Sequence, residues 1–203
     1  MRRNIMANTN KNGKSFTKNL TMVAILTAIT VVLQIVALVS RPFLPFSITL
    51  SLFPIVIGAA LCGPVTSSWL GFAFGITVLL SGDAAAFLTV NIPGTIITVL
   101  AKGTLAGLAA GLIYKLASKV NGYFGVFCSA IVAPIVNTGV FLLGCKLFFM
   151  DTITSWAEAA GSPNVGSYII LSFVGINFLI ELGVNMVCSP IILRLINIRK
   201  KEG

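Results

Sequence analysis

Apolar runs of about span length recur along the chain, each broken by proline, glycine or charge. A lone membrane helix needs roughly 20 apolar residues at 1.5 Å rise per residue, and on that measure six spans are predicted. The first runs from Leu20 to Val39 behind a polar, basic stretch. No small-residue cleavage site follows it, so it is expected to remain as a helix rather than be removed as a secretory signal. The second, Ile48 to Cys62, and the third, Val65 to Leu80, are short. They meet at the turn pair Gly63-Pro64, which predicts a tight helical hairpin. The fourth, Ile92 to Ala117, the fifth, Tyr123 to Met150, and the sixth, Ser167 to Ile196, are long enough to cross with tilt.

Composition agrees: 57% of the 203 residues are hydrophobic and only 9% charged, and the mean hydropathy is +1.01. These values lie far outside the range of a soluble domain and predict an all-α integral membrane protein, a compact bundle of six transmembrane helices. Under this count Arg2, Arg3, Lys11, Lys14, Lys18, Lys115, Lys119, Arg194, Arg199, Lys200 and Lys201 fall on one side, which the positive-inside rule makes the cytoplasm. Both termini are therefore expected there, as a basic tail of residues 1–19 and another of residues 197–203 around a membrane domain of residues 20–196. The expected location is the cell membrane, as a multi-pass protein of a bacterial plasma membrane. Arg41, Asp83, Asp151 and Glu158 fall on the outer side. The net charge of +9 then reflects topology and anionic lipid, not nucleic acid.

Cys62, Cys128, Cys145 and Cys188 lie in or at the ends of predicted helices without CxxC spacing, which fits core packing. Histidine is absent, which removes the commonest metal ligand and general base. No metal, cofactor or enzymatic activity is expected.

Small residues mark packing faces. Gly103, Gly107 and Gly111 recur at intervals of four in the fourth span, and Gly71 and Gly75 in the third, a spacing that lets helix backbones approach closely in lipid. Ala24 and Ala28 form a similar face on the first span, which fits either an internal seam or a partner. Three outer loops can close over a site. Residues 40–47 are stiffened by two prolines and carry Phe43 and Phe46; residues 81–91 enter the fourth span through Asn91, Pro93 and Gly94. In residues 151–166, Ser155 with Glu158 reads as a capping box, and Gly161 and Pro163 as a stop. A short surface helix bearing Trp156 is expected there, the ring serving as a headgroup anchor or as a stacking face.

Against this background the polar residues inside the spans stand out: Lys102, Asn137, Lys146, Asn177, Glu181 and Asn185. A charge at the bilayer centre costs about 2.5 to 3.5 kcal/mol on insertion scales, so such groups face a partner, a cavity or a ligand. Asn177, Glu181 and Asn185 are four apart and drift only about 40° per step, forming one stripe on the sixth span. Lys102 lies at similar depth. An ion pair between Lys102 and Glu181, with the asparagines gluing helices, is one explanation. The other is a polar solute, because this much polarity exceeds what bundle cohesion needs. Lys146 either snorkels outward or, facing in, joins Asn91, Asn177 and Arg41 around the top of a cavity suited to a carboxylate. The alternative function is a self-contained proton- or ion-coupled transporter, with Glu181 carrying the proton and Lys102 as its switching partner.

The segments Ser51 to Asp83 (SLFPIVIGAALCGPVTSSWLGFAFGITVLLSGD), Lys102 to Lys115 (KGTLAGLAAGLIYK) and Ala130 to Gly144 (AIVAPIVNTGVFLLG) resemble the substrate-binding S components of energy-coupling factor (ECF) transporters. The resemblance also takes in the size, the six spans, the Pro-x-x-x-Gly then Gly-Pro hairpin and the alanine pair. It implies a subunit that captures a water-soluble vitamin between the outer parts of the fourth to sixth spans, closed by the first and third loops. On this basis Asn91, Lys102, Asn137, Lys146, Asn177, Glu181 and Asn185 are the expected substrate-binding residues. Ala24 and Ala28 are expected to dock on a transmembrane coupling protein. Two separate cytoplasmic ATPases supply the energy, and the chain has no G-x-x-x-x-G-K-[ST] loop of its own. The likeness is greatest to the branch with riboflavin and pantothenate carriers, and the lysines favour pantothenate.

Overall fold

The computed structural model describes residues 2–40 and 50–201, with side chains described at 17–39, 50–172, 174–175 and 178–198. Nine α-helices and one π-helical turn make up the described part: α1 (Arg2–Ser40), α2 (Leu52–Cys62), α3 (Pro64–Leu80), α4 (Ala85–Leu88), α5 (Ile92–Ala117), α6 (Gly122–Phe148), α7 (Met150–Ala159), α8 (Val165–Ile169), the π turn (Ile170–Val174) and α9 (Gly175–Lys201). No strand occurs among the described residues. Among the described residues, four stretches are long and apolar enough to cross a membrane: Thr17–Val39, Ile92–Ala117, Gly122–Phe148 and Phe178–Ile198. The other two predicted spans appear as shorter apolar helices, Leu52–Cys62 and Pro64–Leu80. They are joined at Gly63, whose φ of 92° a side chain would resist.

Length and apolarity explain where these helices go. The 11-residue α2 covers only about 16 Å, too little to cross alone. It is buried along most of its length, with Leu52, Ile55 and Val56 in a core that also holds Leu70, Val126, Ala130 and Ile192. Among the described residues α3 and α5 share the most extensive helix contact, followed by α5 and α6. The first of these is backbone against backbone. A methyl added at Gly71 would strike the Gly103 carbonyl, one at Gly103 the Gly71 carbonyl, and one at Gly107 the Ser67 carbonyl. The glycine spacing in the sequence is thus used inside the chain, as expected.

Two local expectations need correcting. Ser155 is not a helix cap: α7 begins at Met150, and the Ser155 hydroxyl donates to the Asp151 carbonyl inside it at 3.1 Å. Phe149, buried with Cys145 and Ile153, fixes the corner between α6 and α7 and so sets the earlier start. The stop is where the sequence put it, at Ala159 ahead of Gly161 with φ of 65°. The last span is not one uniform helix either. It opens as α8, widens into the π turn, and continues as α9 after Gly175, whose amide donates back to the Ile170 carbonyl. Such wide turns are frequent at functional sites.

The described N-terminal backbone is helical from Arg2, so the basic stretch runs into the first apolar span without a break. The loop with Arg41, Phe43 and Phe46 lies outside the described residues, as does the side chain of Asn177.

Candidate functional site

A cavity of about 320 Å³ opens between α5, α6, the π turn and α9, beneath the segment that connects α3 to α5. Helix α5 supplies Thr95, Thr98, Val99 and Lys102 from one face, as their spacing of three, one and three residues requires. Its start is fixed by Asn91, whose Oδ1 accepts from the Gly94 amide at 2.9 Å, with proline in the first turn. From α6 come Asn137, Thr138 and Phe141; from the π turn, Ser172 and Val174; from α9, Phe178 and Glu181. The widened turn brings Ser172 and Val174 to the wall.

The floor is polar. Lys102 Nζ lies 5.1 Å from the ring centre of Phe141 and 6.0 Å from that of Phe74, within reach of a cation-π interaction with each. Glu181 lines the same cavity and is 6% exposed. Asn137 is 7% exposed and Thr98 4%, and among the described residues neither Asn137 Oδ1 nor Thr98 Oγ1 has a hydrogen-bond partner. Leaving a buried acceptor unsatisfied costs about 1 to 3 kcal/mol, so two of them on one wall argue for something that binds there.

The roof is aromatic. Phe87, from α4, stacks edge-on against Phe141 at 5.7 Å, Phe149 at 5.0 Å and Trp156 at 5.8 Å. Trp156 thus packs inward on the roof, half-buried. Asp83, Ala84 and Ala86 complete this side of the cavity. Among the described residues, the segment 81–91, Phe149 and Trp156 lie over the site; the first of the three loops, also expected to close it, lies outside them.

Of the residues expected from sequence, Lys102, Asn137 and Glu181 come together on the cavity wall. Asn185 sits one turn below Glu181, 2% exposed, its Oδ1 without a hydrogen-bond partner among the described residues, and does not line the cavity. Asn91 is engaged as the cap of α5. Lys146 is exposed near the end of α6 and does not line it either. Ala24 and Ala28 are both exposed, so among the described residues no seam within the chain uses that face.

Sequence reasoning missed Asp83, Phe87, Thr95, Thr98, Phe141 and Ser172. The threonines carried a signal: 95, 98 and 102 fall at helical spacing on one face, and the polar stripe of the fourth span was read from Lys102 alone. Phe87 and Phe141 carried none, since a phenylalanine in an apolar run looks the same on a cavity wall as in lipid.

A family model described as ECF transporter, substrate-specific component matches residues 18–193. Neither the curated proteins nor the solved structures contain a match.

Proposed function

The chain belongs to the substrate-specific components of ECF transporters, membrane transport subunits rather than enzymes, and from that premise we propose that its cavity captures a small water-soluble vitamin from outside the cell. The observation that carries this reading is the convergence of Lys102, Asn137 and Glu181, from three helices, on one cavity of about 320 Å³ under an aromatic roof. A bundle held together only by packing has no use for two unsatisfied acceptors on the wall of a hollow. Lys102, Asn137 and Glu181 are the proposed contacts. Pantothenate is the first candidate, because Lys102 offers its carboxylate a cation. Riboflavin is the next, because Phe87, Phe141, Phe149 and Phe178 offer ring faces.

Uptake is proposed to draw on partner subunits: a transmembrane coupling protein, docked on the exposed Ala24 and Ala28 of α1, and two cytoplasmic ATPases. The proposed topology has six crossings and cytoplasmic termini, supported by the exposed Lys115, Lys119 and Arg194 at one end of the bundle.

The test is reconstitution. Liposomes holding the chain with its coupling protein and ATPases should accumulate pantothenate or riboflavin when ATP is enclosed, and the chain alone should bind but not accumulate. Accumulation by the chain alone under a pH gradient would instead make it a proton-coupled carrier using Glu181 and Lys102.

A further inference from the structure

A buried polar chain ties α1 to the roof of the cavity. Gln34, in the C-terminal third of the first apolar span, is 3% exposed, and Ser51, just ahead of α2, is fully buried. Ser51 Oγ donates to Gln34 Oε1 at 3.0 Å, and Gln34 Nε2 donates to Asp83 Oδ2 at 3.1 Å. An amide has one accepting and one donating end. The hydroxyl of Ser51 holds the accepting end, which leaves the donating end for the carboxylate. Asp83 in turn lines the cavity. It follows Gly82, whose φ of 80° turns the chain over the site, and it precedes Phe87, which the aromatic contacts pin. The carboxylate is thus set by a backbone turn on one side and by the Gln34 hydrogen bond on the other.

We propose that Asp83 is a further ligand-binding residue and that Gln34, oriented by Ser51, is its positioning residue. An ionised carboxylate only accepts hydrogen bonds. The part of the ligand beneath the roof therefore carries N–H or O–H donors: hydroxyls, an amide or a protonated amine. At the floor, Lys102 takes an acceptor or an acid. The identity of the ligand rests on the vitamin-capture reading above; the placing of Asp83 on the wall does not.

Gln34→Leu removes both hydrogen bonds at similar size, and Asp83→Asn keeps an oxygen for Gln34 to donate to while removing the charge, so the two together separate a loss of folding from a loss of positioning. Titrated with pantothenate and with riboflavin, which both carry hydroxyl donors, each variant should bind about tenfold more weakly, the usual scale for a charge-assisted hydrogen bond. The double variant should be no worse than the weaker single one, because both changes act through one carboxylate. Unchanged affinity in either single variant, or effects that multiply, overturns the proposal. If neither probe binds the unaltered protein, it is the vitamin assignment that fails, and thiol labelling decides the positioning. A thiol introduced by Ala84→Cys, at a site 5% exposed beside Asp83, should react with a membrane-impermeant maleimide several-fold faster once Gln34→Leu is added. Equal rates overturn it.

Discussion

The two sides of α5 solve opposite problems. Toward α3 it presents Gly103, Gly107 and Gly111, and at Gly71, Gly103 and Gly107 the two backbones come into direct contact. Toward α6 and α9 its N-terminal half presents Thr95, Thr98 and Lys102, and there the helices enclose a hollow. In lipid the apolar surroundings reward neither arrangement by expelling water, so contact must come from close packing or from polar groups. The difference teaches that the glycine side acts as a rigid back wall. With one face of α5 fixed against α3, its other face can leave buried acceptors unsatisfied without the bundle giving way.

The hardest way to break this division is Gly71→Leu. Its side chain would have to displace the backbone at Gly103, a change expected to cost several kcal/mol, and no monodisperse protein should survive detergent extraction and size-exclusion chromatography. If the variant stays folded, the back wall is softer than its geometry implies.

On the cavity side the outcome should be reversed. Glu181→Ala should lower affinity for the proposed vitamin by roughly tenfold to a hundredfold, about 1.4 to 2.8 kcal/mol by titration calorimetry, while the elution profile stays intact. Loss of folding there would make Glu181 part of the scaffold.

Asn91→Ala probes the junction between the two sides. Removing the cap of α5 should cost about 1 kcal/mol of stability, read as a thermal shift of a few degrees, with little change in affinity. Lys146→Ala, on an exposed position off the cavity, should stay within about 0.5 kcal/mol on both measures. A large effect on affinity would return Lys146 to the site.

How much of this was legible in the sequence follows the same division. Glycines every four residues announce a close seam whatever the partner, and Gly63-Pro64 announces a hairpin; both are local signals, and both were readable. The lysine, glutamate and asparagines were readable as costly oddities, because burial of a polar group in an apolar run is visible without a fold. Their selection was not: only the fold separates Glu181, on the wall, from Asn185, one turn below it. The π turn was also hidden. Gly175 is its one trace, and a glycine in a membrane helix is too common to signal a wide turn. Gln34 and Ser51 are short of any motif and become a pair only when α1 and α2 are side by side.

The shortness of α2 bears on how the chain is made. A segment of 11 residues falls well below the roughly 20 that let a single helix partition from the insertion machinery into lipid on its own. On the six-crossing topology proposed above, residues 52–80 should leave that machinery as one hairpin, after α1 and with the turn at Gly63 already closed. A residue that resists φ of 92° at Gly63 should thus show up first as inverted topology in newly made chains, long before any weakness in the mature transporter.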